Sequence, residues 1–137
     1  MKMIKLIVGK KGSGKTKALL EMIEEAVGTS KGSVVCIEKG NSLKYNVSHQ
    51  ARLVDIEDYD VSDFNTLYGF LAGMLAGNYD ITDLFVDATL KIGGSDLEGL
   101  AAMIQKLDKL TAQSEAHAAF TVSCDAGELP ESLKKYL

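Results

Sequence analysis

Gly9-Lys10-Lys11-Gly12-Ser13-Gly14-Lys15-Thr16 satisfies the pattern G-x-x-x-x-G-K-S/T in full, with Gly9, Gly14, Lys15 and Thr16 at the fixed positions. Glycine is needed where the backbone must adopt conformations closed to other residues and turn successive N–H groups inward toward phosphate oxygens. Lys15 is expected to reach β- and γ-phosphates, and the Thr16 hydroxyl to ligate Mg²⁺. Gly12 adds a glycine inside the loop. Lys10 and Lys11 add positive charge at its mouth, and Ser13 and Lys17 complete the phosphate-facing set.

The flanking sequence decides whether such a match has meaning. Met3-Ile4-Lys5-Leu6-Ile7-Val8 is apolar and β-branched enough for a buried strand. Downstream, Leu19, Met22, Ile23, Ala26 and Val27 fall on one helical face, and Gly28 reads as the helix stop. Strand, glycine loop and helix therefore follow in the required order. Phosphates held by this loop would lie at a helix N-terminus, where free N–H groups and the helix dipole favour anions.

At 137 residues the chain reads as a single domain, residues 1–137. Its 46% hydrophobic and 25% charged content sits near the globular average, so a buried core is expected rather than disorder. The net charge of −4, with no basic stripe beyond the loop, argues against a nucleic-acid partner. No apolar run is long enough to span a bilayer, and Lys2 and Lys5 interrupt the N-terminal run, so neither a membrane span nor a signal peptide is expected. Cys36 and Cys124, both in expected strands and without metal-ligand spacing, read as reduced, buried core thiols of a cytoplasmic protein.

The rest of the chain alternates strand and helix signals. Ser33–Glu38 reads as a second strand, residues 39–50 as a polar irregular insert, and Ala51–Ile56 as a short third strand at an edge. Five acids between Asp55 and Asp63 read as a solvated loop, since no His or Cys accompanies them. Residues 62–77 carry Phe64, Leu67, Tyr68, Leu71, Met74 and Leu75 on helical spacing. Gly69, Gly73 and Gly77 recur every four residues there, which suggests close packing inside the domain or, as the lesser alternative, a homodimer contact. Ile81–Asp87 is the next strand. Ser95 and Glu98 have capping-box spacing before a long amphipathic helix. A strand over Ala118–Cys124 and a short helix over 130–136, opened by Pro130, complete the chain. The expected fold is α/β, a three-layer α/β/α sandwich around a mostly parallel sheet.

A phosphate-binding loop needs an acidic partner at the end of a buried strand, holding Mg²⁺ through water. Asp87 fits, because it follows Leu84-Phe85-Val86 and would lie at the same sheet edge as the loop. Asp83 is the competitor, lower on the strand.

With residues 9–16 and Asp87 in place, the chain resembles a P-loop NTPase. The resemblance is to the ASCE-type branch, in which an extra strand separates the phosphate-loop strand from the acidic one. It is also similar to small bacterial ATP-binding proteins often labelled as twitching-motility ATPases. The resemblance implies that Phe120–Cys124 lies in the inserted strand, that Ser123 is the nearest match to the polar residue sensing the γ-phosphate, and that ATP and Mg²⁺ are the ligands. It also implies hydrolase chemistry, with one reservation. In this branch a glutamate usually follows the acidic strand's aspartate and activates water, whereas here Asp87 is followed by Ala88 and Thr89. Thr89 could orient a water but is a poor base. Arg52 is the sole arginine, so a finger in cis is missing unless Arg52 reaches the site, and such a finger can be worth about 10³–10⁵ in rate.

The expected function is therefore binding of a nucleoside triphosphate, with hydrolysis that is weak or dependent on a protein partner. A thymidine-kinase-like phosphotransferase is an alternative, with the insert 39–50 holding an acceptor. The multi-arginine lid or cysteine-ligated zinc module usual in such kinases is missing, however. A non-catalytic nucleotide-binding interaction domain is another. A GTPase is discounted, because Leu90 stands where a glycine would follow Asp87 and no Asn-Lys-x-Asp occurs. Glu38 reads as a strand-end surface residue, or as a hidden base should turnover prove robust.

Overall fold

The computed structural model describes residues 3–137; Lys2, one of the two lysines expected to break up the N-terminal apolar run, lies outside them. Five strands form one sheet: β1 (Ile4–Gly9), β2 (Ser33–Glu38), β3 (Ala51–Asp55), β4 (Ile81–Val86) and β5 (His117–Ser123). Their spatial order is β1-β5-β4-β2-β3 and every pairing is parallel. All strands thus end on one side of the sheet, and loops carrying chemistry can gather there. β5, the last strand in sequence, lies between β1 and β4, in register Leu6 to Phe120 and Val86 to Phe120.

Alternation along the strands divides the core between the two faces of the sheet. In β2, Val34 and Cys36 point to one side and Val35 and Ile37 to the other. The first side is covered by α1 (Lys15–Thr29), whose Leu19, Ile23 and Ala26 pack on Val34, Cys36, Ala51, Phe85 and Ala119. The other side receives α2 (Phe64–Gly77) and α4 (Leu97–Ser114) through Leu67, Leu71, Leu100, Ile104 and Leu107, joined by Leu133 and Tyr136 from a terminal 3-10 helix. The Tyr136 hydroxyl donates to Asp108 Oδ2 at 2.7 Å. Burial, together with that bond and the Asp108 charge, pushes the phenol up to about 12. Among the described residues no helix is long and apolar enough to cross a membrane.

Several local expectations are corrected. α1 runs through Gly28 and stops one residue later, with the Ser30 N–H on the Ala26 carbonyl. β3 ends at Asp55, because its carboxylate caps a 3-10 turn beginning at Ile56. α4 is capped by Asp96, whose Oδ1 accepts from the Glu98 N–H at 3.1 Å, so the Ser95–Glu98 box does not form. A short helix, α3 (Thr89–Gly93), stands where no element was expected. The terminal helix is 3-10, over Glu131–Tyr136, with Pro130 as its cap. Cys36 is buried within β2, but Cys124 lies just beyond β5 and is only partly buried; both are free thiols. Burial, with the Asp87 and Glu38 charges adding to it, pushes the Cys36 thiol up to about 12.

The glycine stripe of α2 does not pack inside the domain. Gly69, Gly73 and Gly77 are exposed, and a Cβ added at any of them would meet nothing within 4 Å. Overpacking by a larger residue is therefore not expected. Gly73→Ala should instead raise stability by about 0.5–1 kcal/mol, since alanine loses less backbone entropy in a helix. Chemical denaturation checks this, and a loss of stability would reveal a contact at that face.

Candidate functional site

The loop leaving β1 is shaped by its glycines. Gly12 and Gly14 have φ of +85° and +87°, a region that side chains with a Cβ rarely enter. At Gly9 a Cβ would collide with the Ser13 hydroxyl, so the loop closes tightly over its own first residue. The Ser13 N–H bonds to the Lys10 carbonyl at 3.1 Å, and the Lys15 ammonium donates to the same carbonyl at 2.9 Å. Lys10 itself faces outward, its Nζ 3.5 Å from Asp125 in an exposed ion pair.

α1 begins at Lys15 directly after Gly14, with no side-chain cap on its first N–H groups. Those donors are left for a ligand. From the second residue of the helix, the Thr16 hydroxyl lies 3.3 Å from both carboxylate oxygens of Asp87, a residue 71 positions away in sequence. Asp87 follows β4 and is held at the sheet edge by its N–H on the Ile37 carbonyl at 2.9 Å. It is 8% exposed. Asp83, the alternative, lies at the opposite, amino-terminal end of the strands, where it lines a smaller cleft with Lys5 and His117.

Sequence reasoning missed Thr121. Its hydroxyl donates to Asp87 Oδ1 at 2.6 Å and accepts from the Ala88 N–H at 2.6 Å, so it aims the carboxylate and fixes the turn after it. A polar residue between Phe120 and Val122 in an apolar strand was the available signal. Thr16, Thr121 and Asp87 together offer hydroxyl and carboxylate oxygens, the hard donors Mg²⁺ prefers. Among the described residues no cluster of three or more His, Cys, Asp or Glu forms a protein-only metal cage.

A cleft of about 630 Å³ opens over these groups, bordered by Gly12, Gly14, Lys15, Thr16, Asp87 and Thr121. Ser123 also lines it, whereas Thr89 does not. Thr89 is wholly buried and its hydroxyl has no hydrogen-bond partner among the described residues, because the turn at Ala88 sends it inward. It cannot orient a water in the cleft. Arg52 is exposed on edge strand β3 and does not border the cleft. Glu38 is not a surface residue: it is 3% exposed, its Oε1 accepting from the Ser42 hydroxyl at 2.8 Å and its Oε2 from the Leu43 N–H at 3.0 Å. Both oxygens are engaged in holding the insert, and Ser42 and Leu43 in turn line the cleft.

Among the described residues, the charges lining the cleft are Lys11, Lys15, Lys17 and Lys91 against the single carboxylate of Asp87. In a chain of net charge −4 this is a local reversal of sign. Low-dielectric walls focus such a field on an anionic ligand. No protein-family model matches the chain, and comparison with curated proteins gives no significant match.

Proposed function

We propose that the protein is a nucleoside-triphosphate-binding domain with the three-layer P-loop NTPase fold, taking ATP with Mg²⁺ and hydrolysing it slowly or only with a partner. The observation that carries this reading is the convergence of Thr16 and Asp87, from the loop and from β4, beside Lys15 in one cationic cleft. The position of β5 between the loop strand and the Asp87 strand supports the ASCE-type branch. ATP is preferred to GTP because guanine-recognition sequences are missing.

The groups that would speed hydrolysis are missing from the cleft. Among the described residues Asp87 is the only carboxylate lining it, Glu38 is occupied by Ser42 and Leu43, and Arg52 is elsewhere. Calorimetric titration with ATP, with and without Mg²⁺, tests binding, and turnover on the same sample tests the rest. Failure to bind ATP in either condition overturns the reading. Ala88 lines the cleft beside Asp87, so Ala88→Glu should raise the slow turnover if a water-activating base is what the site lacks. A variant no faster than a slow parent would show that another group is limiting. Position 88 has φ +52°, which glutamate tolerates no worse than alanine.

A phosphotransferase remains the second reading, because Ser42 and Leu43 bring the insert to the cleft wall. Turnover that appears only when a hydroxyl acceptor is added to ATP would favour it.

A further inference from the structure

We propose that Lys91 is a terminal-phosphate contact supplied by the chain itself, discriminating a nucleoside triphosphate from a diphosphate. The inference rests on the cleft being a nucleotide site. Of the four lysines lining the cleft, Lys11, Lys15 and Lys17 belong to the glycine loop and the first turn of α1. Lys91 alone comes from another element, α3, four residues beyond Asp87.

Its location follows from the backbone. Asp87 is held to β2 by its N–H on Ile37, and Ala88 then takes a left-handed conformation, with φ +52° and ψ +54°. This turns the chain away from the direction of β4. The Ala88 carbonyl accepts the Lys91 N–H at 2.9 Å, closing one helical turn that carries Lys91 back to the cleft. The Lys91 carbonyl in turn receives the Lys39 ammonium at 3.5 Å, joining α3 to the chain leaving β2.

This location differs in kind from that of Lys15. Thr16 and Asp87 would hold a Mg²⁺ ion, which would supply neutralisation of phosphate charge. The loop and Lys15 border the cleft from the end of β1, and α3 borders it from the end of β4, beyond Asp87. With Arg52 on the far edge strand and Lys39 outside the lining, Lys91 is, among the described residues that border the cleft, the cation contributed from beyond Asp87.

The test compares Lys91→Met and Lys91→Arg with the parent by calorimetric titration with Mg-ATP and Mg-ADP. Lys91 is exposed, and circular dichroism should show an unchanged fold. Lys91→Met should weaken Mg-ATP by about tenfold or more, as expected for one lost charge-assisted hydrogen bond, and Mg-ADP by less than about twofold. Lys91→Arg should restore most of the Mg-ATP affinity. Equal weakening of both nucleotides would mean that Lys91 acts only through the general field of the cleft, and no weakening would mean that it makes no contact; either overturns the proposal. Lys15→Ala, titrated alongside, separates the two failures. If Lys15→Ala leaves ATP binding intact, the nucleotide reading of the cleft falls; if it abolishes binding while Lys91→Met does nothing, only the assignment of Lys91 falls.

Discussion

Lys15→Ala is expected to weaken Mg-ATP binding by on the order of 100-fold or more while leaving the melting temperature close to that of the parent. The side chain is 9% exposed and lines the cleft. Its ammonium satisfies itself on the Lys10 carbonyl at 2.9 Å, a bond a phosphate oxygen can replace. A cation spanning two phosphates makes at least two charge-assisted bonds, each worth about 1.5–3 kcal/mol, and the factor follows from their loss. Lys15→Arg should recover little, because a planar fork does not replace a point charge. Titration calorimetry reads the affinity and a thermal scan reads the fold. ATP bound as tightly by the alanine variant as by the parent would remove the site assignment.

For Asp87→Asn, the expected outcome is selective loss of the Mg²⁺-dependent part of binding. The amide retains an oxygen to accept the Thr121 hydroxyl but loses the negative charge that faces Thr16. In Mg²⁺ the affinity should fall by about tenfold or more, the low end for a lost charged partner. In EDTA it should hold or improve, because a carboxylate pointing into a phosphate site repels the ligand when no cation intervenes. Equal losses under both conditions would show that Asp87 shapes the pocket rather than the metal site. Asp83 could not then inherit the role, since it lines a different cleft at the other end of the strands. A second readout is built in. Burial is the main cause of the raised Cys36 thiol, and the Asp87 charge comes next, so the asparagine variant should lower that thiol's pKa from about 12.

Where strong local rules apply, sequence and structure agree closely. The glycine loop carries a motif, a strand signal and a helix face together, and the structure has β1 before it, α1 after it and Thr16 3.3 Å from Asp87. The differences arise where spacing alone is ambiguous. Glycines at 69, 73 and 77 must share one helix face, but the period is the same whether that face is buried or bare. Phe64, Leu67, Leu71 and Leu75 take the core side, and the glycines are left outward. Ser95 has a capping spacing, but Asp96 is one residue nearer to the helix and brings a carboxylate to the same amide. Thr89 is turned inward by a left-handed residue that nothing in Asp87-Ala88-Thr89 advertises. Glu38 is buried because the insert folds back onto it, a contact between side chain and loop that no periodicity records. Lys91 reaches the cleft through the same turn that hides Thr89.

The position of β5 also constrains how the protein is made. β1 is an edge strand whose one neighbour is β5, with Ile4 opposite Ala118 and Gly9 opposite Ser123. On the ribosome, β2, β3 and β4 emerge before β5 and can pair among themselves, while β1 must wait for β5. Such distant parallel pairing is intrinsically slow. Until His117–Ser123 has left the exit tunnel, the glycine loop has no strand to fix it and Asp87 lacks the Thr121 hydroxyl that aims it. A nascent or truncated chain therefore carries both halves of the cleft without assembling it, and a ligand of the finished cleft would stabilise only chains complete through β5.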